Sequence, residues 1–289
     1  MNKQDEKVII TKASGEKEPF DKSKLHQSLL RSGASESVVT RIVQEIQKNL
    51  TEEASTKSIY RRAYKLLSKT ERPVAGRYYL KNGIMEMGPS GFPFEKYVSE
   101  ILAQQGYTVQ VGKIVDGKCV KHEVDVIAEK GEQHFMIECK YHNSPGIFCD
   151  VKIPLYIHSR FKDVESQWKI MPGHTSKFHQ GWVVTNTRFT SDAITYGSCA
   201  GLKLVSLDFP KTGSLREMIE ETGLYPLTCL TSLTQQEKKL LLEKKVVLCR
   251  EVCHKPQYLS DLNIPVNRIN IILGEGNQLC HKLIRHDKH

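Results

Sequence analysis

The hydrophobic period of this chain changes at Gly88-Pro89-Ser90-Gly91, and that change decides what it can fold into. Before it, apolar residues recur three and four apart, the spacing of amphipathic helices. After it, short apolar or alternating runs of strand length predominate. One bundle or one sheet cannot hold both patterns, and 289 residues are long for one domain and comfortable for two or three.

In the first part, the apolar run Lys7–Ile10, a turn at Ser14-Gly15 and Lys17-Glu18-Pro19-Phe20 predict a β-hairpin. Asp21 is a suitable N-cap for a helix carrying Leu25, Leu29 and Leu30. Helices are expected over Glu36–Leu50, with Val38, Val39, Ile42, Val43 and Ile46 on one face, then over Ser55–Leu67 and Ala75–Met87. In the second part a helix is predicted over Phe92–Gln105, with strands at Tyr107–Lys113, Glu123–Ala128 and Gln133–Cys139. A strand at Gly181–Val184, a helix at Ser191–Ala200 and a strand at Leu202–Leu207 follow. Strands interleaved with helices imply an α/β layered core with a partly parallel sheet. From Ser214 the helical pattern returns, with Thr234-Gln235-Gln236-Glu237 forming a capping box.

A hydrophobic content of 39% with 26% charged residues excludes disordered, collagen-like and coiled-coil chains. The excess of 42 Lys+Arg over 33 Asp+Glu, a net +9, points to a polyanionic partner, with solubility alone the alternative. No apolar run approaches the roughly 20 residues of a membrane span. The opening MNKQDEKVII lacks the apolar run and cleavage site of a signal peptide. A cytoplasmic protein without a membrane partner is expected. The eight scattered cysteines fit free thiols of a reducing compartment.

The residues richest in chemistry lie between Glu95 and Lys140. Asp125 sits in the strand-like run Glu123-Val124-Asp125-Val126-Ile127, and Ile137-Glu138-Cys139-Lys140 follows. In a strand, Glu138 and Lys140 share a face while Cys139 points away. If Asp125 and Glu138 come from neighbouring strands, two carboxylates and an ammonium converge. Hard oxygen ligands suit Mg²⁺ or Mn²⁺, which polarises a phosphodiester and activates water.

Asp followed by Glu-x-Lys resembles the signature of the PD-(D/E)xK nuclease superfamily. With Gly91-Phe92-Pro93-Phe94-Glu95 opening a helix and Trp182-Val183-Val184-Thr185-Asn186-Thr187-Arg188-Phe189-Thr190 further on, the match is to its Mrr-type restriction-endonuclease branch. That resemblance implies Asp125 and Glu138 as metal ligands, Lys140 as the catalytic lysine, and Glu95 as a helix carboxylate assisting at the metal. Val124 stands where this branch commonly has proline, which removes no ligand. Asn186 or Arg188 is read as a phosphate contact or as a cap for the following helix. Tyr156, Arg160, Phe161, Gln167 and Trp168 are read as a DNA-facing helix, with core packing the alternative for Phe161 and Trp168.

The N-terminal hairpin sets Lys12, Gly15, Lys17, Phe20, Lys22 and Lys24 together. Lysines are point donors for phosphate and Phe20 can stack on an adenine or pack in a core. The order Ile10-Thr11-Lys12-Ala13-Ser14-Gly15, then Glu18-Pro19-Phe20-Asp21-Lys22-Ser23-Lys24, with Ala75 and Tyr78-Tyr79-Leu80 later, resembles the ATP-cone. This module is the nucleotide-binding regulator of ribonucleotide reductases. The resemblance implies ATP or dATP as effector, held by Lys12, Gly15, Lys17, Phe20 and Lys24. Ala13 replaces the arginine usual in that family, removing one phosphate-binding cation.

Two patterns are set aside. Gly112–Lys118 fits G-x-x-x-x-G-K, but Cys119 follows where Ser or Thr is needed and no helix has room, so a β-turn is expected. Cys249, Cys253-His254 and Cys280-His281 lack zinc-site spacing.

The fold expected is therefore α/β: a restriction-endonuclease-like core with a mixed sheet over residues 89–212, a small α+β ATP-cone over 1–88 and a helical domain over 213–289. The function expected is an Mg²⁺- or Mn²⁺-dependent DNA endonuclease of restriction or repair type, acting on double-stranded DNA as a homo-oligomer under nucleotide control. The alternative is a catalytically silent DNA-binding or nucleotide-sensing regulator on the same fold.

Overall fold

The computed structural model describes residues 8–12, 15–51, 54–171 and 178–281. Lys7, Ala13 and Ser14, used above for the hairpin and the missing cation, lie outside these.

Strands β1 (Ile9–Thr11) and β2 (Lys17–Pro19) pair antiparallel, and Gly15 in their turn adopts φ +87°, open to a residue without Cβ. The Asp21 carboxylate accepts the Ser23 N–H and caps α1 (Lys22–Arg31). Helices α2 (Glu36–Lys48) and α3 (Thr56–Thr70) bury one stripe each, Val39, Ile42 and Ile46 against Ile59, Ala63 and Leu67.

The helix expected over Ala75–Met87 is two helices, α4 (Arg72–Tyr78) and α5 (Leu80–Met85). The break is at Tyr79. Its ring lies 4.6 Å from that of Tyr64, and its hydroxyl donates to Glu86. Tyr78 belongs to the core of the N-terminal helices, whereas Leu80, Ile84 and Met87 belong to the core of the sheet. Apolar spacing continues across the break because each side has a core to face, so periodicity does not register it.

Next come α6 (Phe92–Gln104), β3 (Thr108–Asp116), β4 (Lys121–Lys130), β5 (Gln133–Lys140), β6 (Phe148–Cys149) and α7 (Lys152–Trp168). They are followed by β7 (Phe178–Thr185), β8 (Arg188–Phe189), α8 (Ser191–Cys199) and β9 (Lys203–Val205). The main sheet has the order β3-β4-β5-β7-β9, antiparallel from β3 to β5 and parallel from β5 to β9. Alternation along the strands sorts the side chains. Val126, Ala128, Ile137 and Cys139 pack with α6, while Ile127 and Met136 pack with Phe161 and Val164 of α7. The two-residue parallel pair β6–β8 is too short for any periodicity and was not expected.

The tail consists of α9 (Leu215–Thr222), a 3₁₀ turn (Leu227–Cys229), α10 (Gln235–Glu243), α11 (Cys249–His254), α12 (Gln257–Ser260) and α13 (Val266–Cys280). The expected capping box at Thr234 and Glu237 is formed. These helices extend the core of the α6 side of the sheet out to Leu279. Among the described residues, no helix is long and apolar enough to cross a membrane.

Candidate active site

Strands β4 and β5 stay paired from Lys130 opposite Gln133 to Val126 opposite Ile137 and then part. Beyond that point β4 follows β3 and β5 follows β7. Asp125 and Glu138 are the first residues past the last pair, so both stand at the mouth of the fork. There the Asp125 Oδ2 accepts the Cys139 N–H at 2.7 Å, a side chain replacing the ladder partner that the parted strand no longer offers. Strand alternation turns Cys139 into the α6-side core and puts Glu138 and Lys140 together, Lys140 Nζ lying 3.5 Å from Glu138 Oε1.

Helix α7 crosses this face and closes the fork. Arg160 Nη1 donates to Glu138 Oε2 at 2.7 Å, and Nη2 donates to the Glu123 carbonyl, so one guanidinium ties both prongs. The Arg160 and Glu138 side chains are 11% and 8% exposed. This corrects the reading of Arg160 as part of a DNA-facing surface: it turns inward. Phe161 and Trp168 pack in the core under the sheet, while Tyr156 stays 58% exposed with the Arg160 guanidinium 5.4 Å from its ring centre. The available signal was the place of Arg160 among Ile157, Phe161 and Val164 on the buried stripe of α7.

Glu95 enters from the first turn of α6. Burial, then the charges of Asp125, Glu138 and Glu123, raise its carboxyl to about 7. Asp125 is raised to about 6, by burial first and Glu138 second, against the opposing pull of the Cys139 N–H, Lys140 and Arg160. The three carboxylates are thus one electrostatic unit. Among the described residues there is no group of three or more His, Cys, Asp or Glu side chains that could hold a metal ion. The donor set fits instead the open coordination of Mg²⁺, which takes one or two carboxylates and keeps several waters.

At the N-terminal hairpin, Lys12 lies 2.9 Å from Glu18 and 3.3 Å from Glu16, and Lys24 lies 3.7 Å from Glu18. Lys17 is exposed beside Gly15. Phe20 is half-buried against the N-terminal core. Asn186 is no helix cap. Its amide brackets His142, accepting the N–H at 2.9 Å and donating to the C=O at 2.7 Å, while Thr190 caps α8.

Of the stretch resembling a phosphate loop, Gly112–Asp116 is part of strand β3 and only Gly117-Lys118 enters the β3–β4 turn, so the expected turn is confined to its end. The N–H groups that follow hold an anion from this chain. Asp163 of α7 accepts from Cys119 at 2.9 Å, from Val120 at 3.3 Å and lies 2.8 Å from His122 Nε2. His122 chiefly, with these N–H groups, pulls the Asp163 carboxyl down to about 2. Of the tail cysteines, Cys249 is buried and Cys253 and Cys280 partly so, all as free thiols.

A mixed sheet that forks around an aspartate and a Glu-x-Lys pair, with a carboxylate helix on one face, defines a restriction-endonuclease-like domain. Family models agree over three stretches: ATP cone domain for residues 8–81, Restriction endonuclease for 86–208, and AF1548-like, C-terminal for 225–280. An uncharacterized protein of Archaeoglobus fulgidus is 30% identical over 183 residues, covering 63% of this chain and 99% of its own length. A crystal structure of a protein of unknown function, AF1548, matches with 30% identity and a TM-score of 0.53, over 66% of this chain and 98% of that one. The chain belongs to this AF1548-like family, as an ATP cone joined to an Mrr-type restriction-endonuclease domain and a helical C-terminal region.

Proposed function

We propose that the protein is an Mg²⁺- or Mn²⁺-dependent endodeoxyribonuclease of restriction or repair type, with ATP or dATP bound to its cone as effector. The carrying observation is that Asp125, Glu138 and Lys140 meet at the strand fork with Glu95 brought in from α6. Asp125 and Glu138 would hold the metal. When bound, it polarises the phosphodiester and lowers the pKa of a coordinated water. Lys140, about one-third exposed, reaches the mouth of the fork, where an ammonium orients that water or offsets the charge on the phosphate. Arg160 holds Glu138 in place, so Lys140 is free to turn from Glu138 toward a phosphate. Glu95 completes the carboxylate shell. Lys12, Gly15, Lys17, Phe20 and Lys24 are assigned to the nucleotide, residues 1–88, 89–212 and 213–289 to three working units, and the cytoplasm to its location.

Cutting both strands of a duplex takes two sites or two visits, which favours a homo-oligomer. Phosphate contacts supply most of the affinity for DNA, so binding weakens steeply with salt. The test is cleavage of supercoiled and linear plasmid in Mg²⁺ or Mn²⁺, with and without ATP, by the wild type, Asp125→Ala and Lys140→Ala. Cutting by the wild type alone supports the reading. Salt-sensitive binding without cutting, on methylated and unmethylated DNA alike, replaces it with the silent regulator.

A further inference from the structure

Two adjoining cavities, of about 430 and 360 Å³, run along the seam between the N-terminal helices and the sheet, and Lys81 of α5 lines both. The larger takes Lys12 from the hairpin on one wall and Arg188 from β8 on the other. Lys81 is open to this space yet surrounded by protein. That crowding first, then the Arg188 guanidinium, lowers its pKa, with Arg216 adding and Asp208 opposing. Asp208 is itself tied to Arg216 at 2.7 Å. Among the described residues, neither Lys81 nor Arg188 has a carboxylate within ion-pair distance. Lys12 is paired with Glu16 and Glu18, so the charge left over in the cleft is that of Lys81 and Arg188, two cations arranged for an anionic ligand.

The same wall has an aromatic surface. In the small parallel ladder Phe148 pairs with Arg188, so the two side chains stand side by side on one face while Cys149 and Phe189 are buried behind them. Phe148 is 50% exposed and lines the cavity beside Ile147 and Met85. An exposed ring beside a guanidinium and an ammonium matches a base next to its phosphates. The cavity volume falls within the roughly 300–1,000 Å³ of small-ligand sites.

We infer that the nucleoside triphosphate effector binds across this seam, its base on Phe148 and its phosphates between Lys81, Arg188 and Lys12. This rests on the effector reading above and adds that the nuclease core supplies half of the site. It also gives the effector a path to the fork. The chain between Lys140 and Phe148 joins the nuclease site to the cavity wall. Asn186 brackets His142 within that stretch and also donates to the Met85 sulfur of α5 at 3.0 Å. A ligand that pulls Phe148, Arg188 and α5 together therefore acts on the loop that leaves Lys140.

The test is calorimetric titration of ATP into the full chain for the wild type, Arg188→Ala, Phe148→Ala and Lys17→Ala, with melting curves as fold controls. Loss of one charge-assisted contact weakens binding by about tenfold or more. Arg188→Ala and Phe148→Ala should each show such a loss, with Arg188→Lys recovering part of it and Phe148→Leu keeping the apolar contact without the ring. ATP affinity unchanged in Arg188→Ala and Phe148→Ala but reduced in Lys17→Ala overturns the seam and leaves the effector reading standing. No ATP binding by the wild type at millimolar concentration overturns both. If Arg188→Ala keeps ATP affinity and loses retention of single-stranded DNA at fixed salt, the seam is a strand-binding groove and the inference fails.

Discussion

Asp125 accepts a backbone N–H from a strand of the sheet and Asp163 accepts two from a turn of the same sheet, yet their carboxyls move in opposite directions, to about 6 and to about 2. At Asp163 the donors prevail: an imidazole and the N–H groups of a hairpin turn surround the oxygens, and ionisation is favoured. At Asp125 burial and the neighbouring Glu138 outweigh one N–H, Lys140 and Arg160. The first arrangement is what a carboxylate needs to hold a fold together. The second keeps acids close where stability alone would separate them, as the proposed metal-binding role requires.

The largest effect should come from exchanging the two roles. Asp125→Ala is expected to reduce plasmid cleavage on the order of a thousandfold, because a metal's charge stabilisation is worth several kcal/mol. Asp163→Ala should cleave near the wild-type rate while melting at a lower temperature. Cleavage rates and melting temperatures of both variants decide it. If Asp163→Ala loses cleavage with its fold intact, the contrast between a structural and a chemical aspartate breaks.

Next comes Arg160, which ties Glu138 to the Glu123 carbonyl across the fork and is therefore a positioning residue. Removing a partner that orients a metal ligand typically costs about 10- to 100-fold, so Arg160→Ala should fall in that range. Taking one member from a buried ion pair also costs about 3–5 kcal/mol. A structural role alone would lower stability and leave the metal response untouched. The discriminating measurement is the Mg²⁺ concentration for half-maximal cleavage, expected to rise in Arg160→Ala and to return partway in Arg160→Lys.

These two aspartates also mark what the sequence made legible. Asp125, Glu138 and Lys140 were readable because strand alternation is local, and adjacency of β4 and β5 follows from the short link between them. The capping box at Thr234 and the helix stripes were legible for the same reason. Arg160 was misread because its partner is 22 residues back in the chain across a helix packing, and a cation on an amphipathic helix defaults to the surface. Asp163 carried no signal either, since the turn it fills looked like a discarded phosphate loop. The turn at Cys119 and Val120 does bind an anion, but the anion is a side chain of α7. The break at Tyr79 and the β6–β8 pair depend on long-range packing that no window of sequence contains.

Acid titration sharpens the contrast with a smaller effect. The Asp163 carboxyl lies below its ordinary value of 3.8, so its contribution is complete above about pH 4 and is lost as pH falls toward 2. In Asp163→Asn the melting temperature at pH 7 should be lower than in the wild type. The gap should shrink through that acid window, as a pH series of melting curves would record. A gap that stays constant down to pH 2 would mean the turn is held by shape and not by charge.

The smallest effect has the opposite sign. Asp125 and Glu95 lie above their ordinary values of 3.8 and 4.5, so the folded protein binds more protons than the unfolded chain between those values and about 6 and 7. Stability must then fall as pH rises through that window, because ionising both acids inside the fork is unfavourable. Asp125→Asn can still accept the Cys139 N–H through its amide oxygen but carries no charge. It should therefore melt above the wild type at pH 7–8 and converge with it near pH 4, and Glu95→Gln should do the same. Mg²⁺ should raise the wild-type melting temperature at pH 8 and leave that of Asp125→Asn unmoved, since a ligand stabilises only the state that binds it. If Asp125→Asn melts below the wild type at every pH, Asp125 is as structural as Asp163, and the repulsion at the fork is not what sets the two apart.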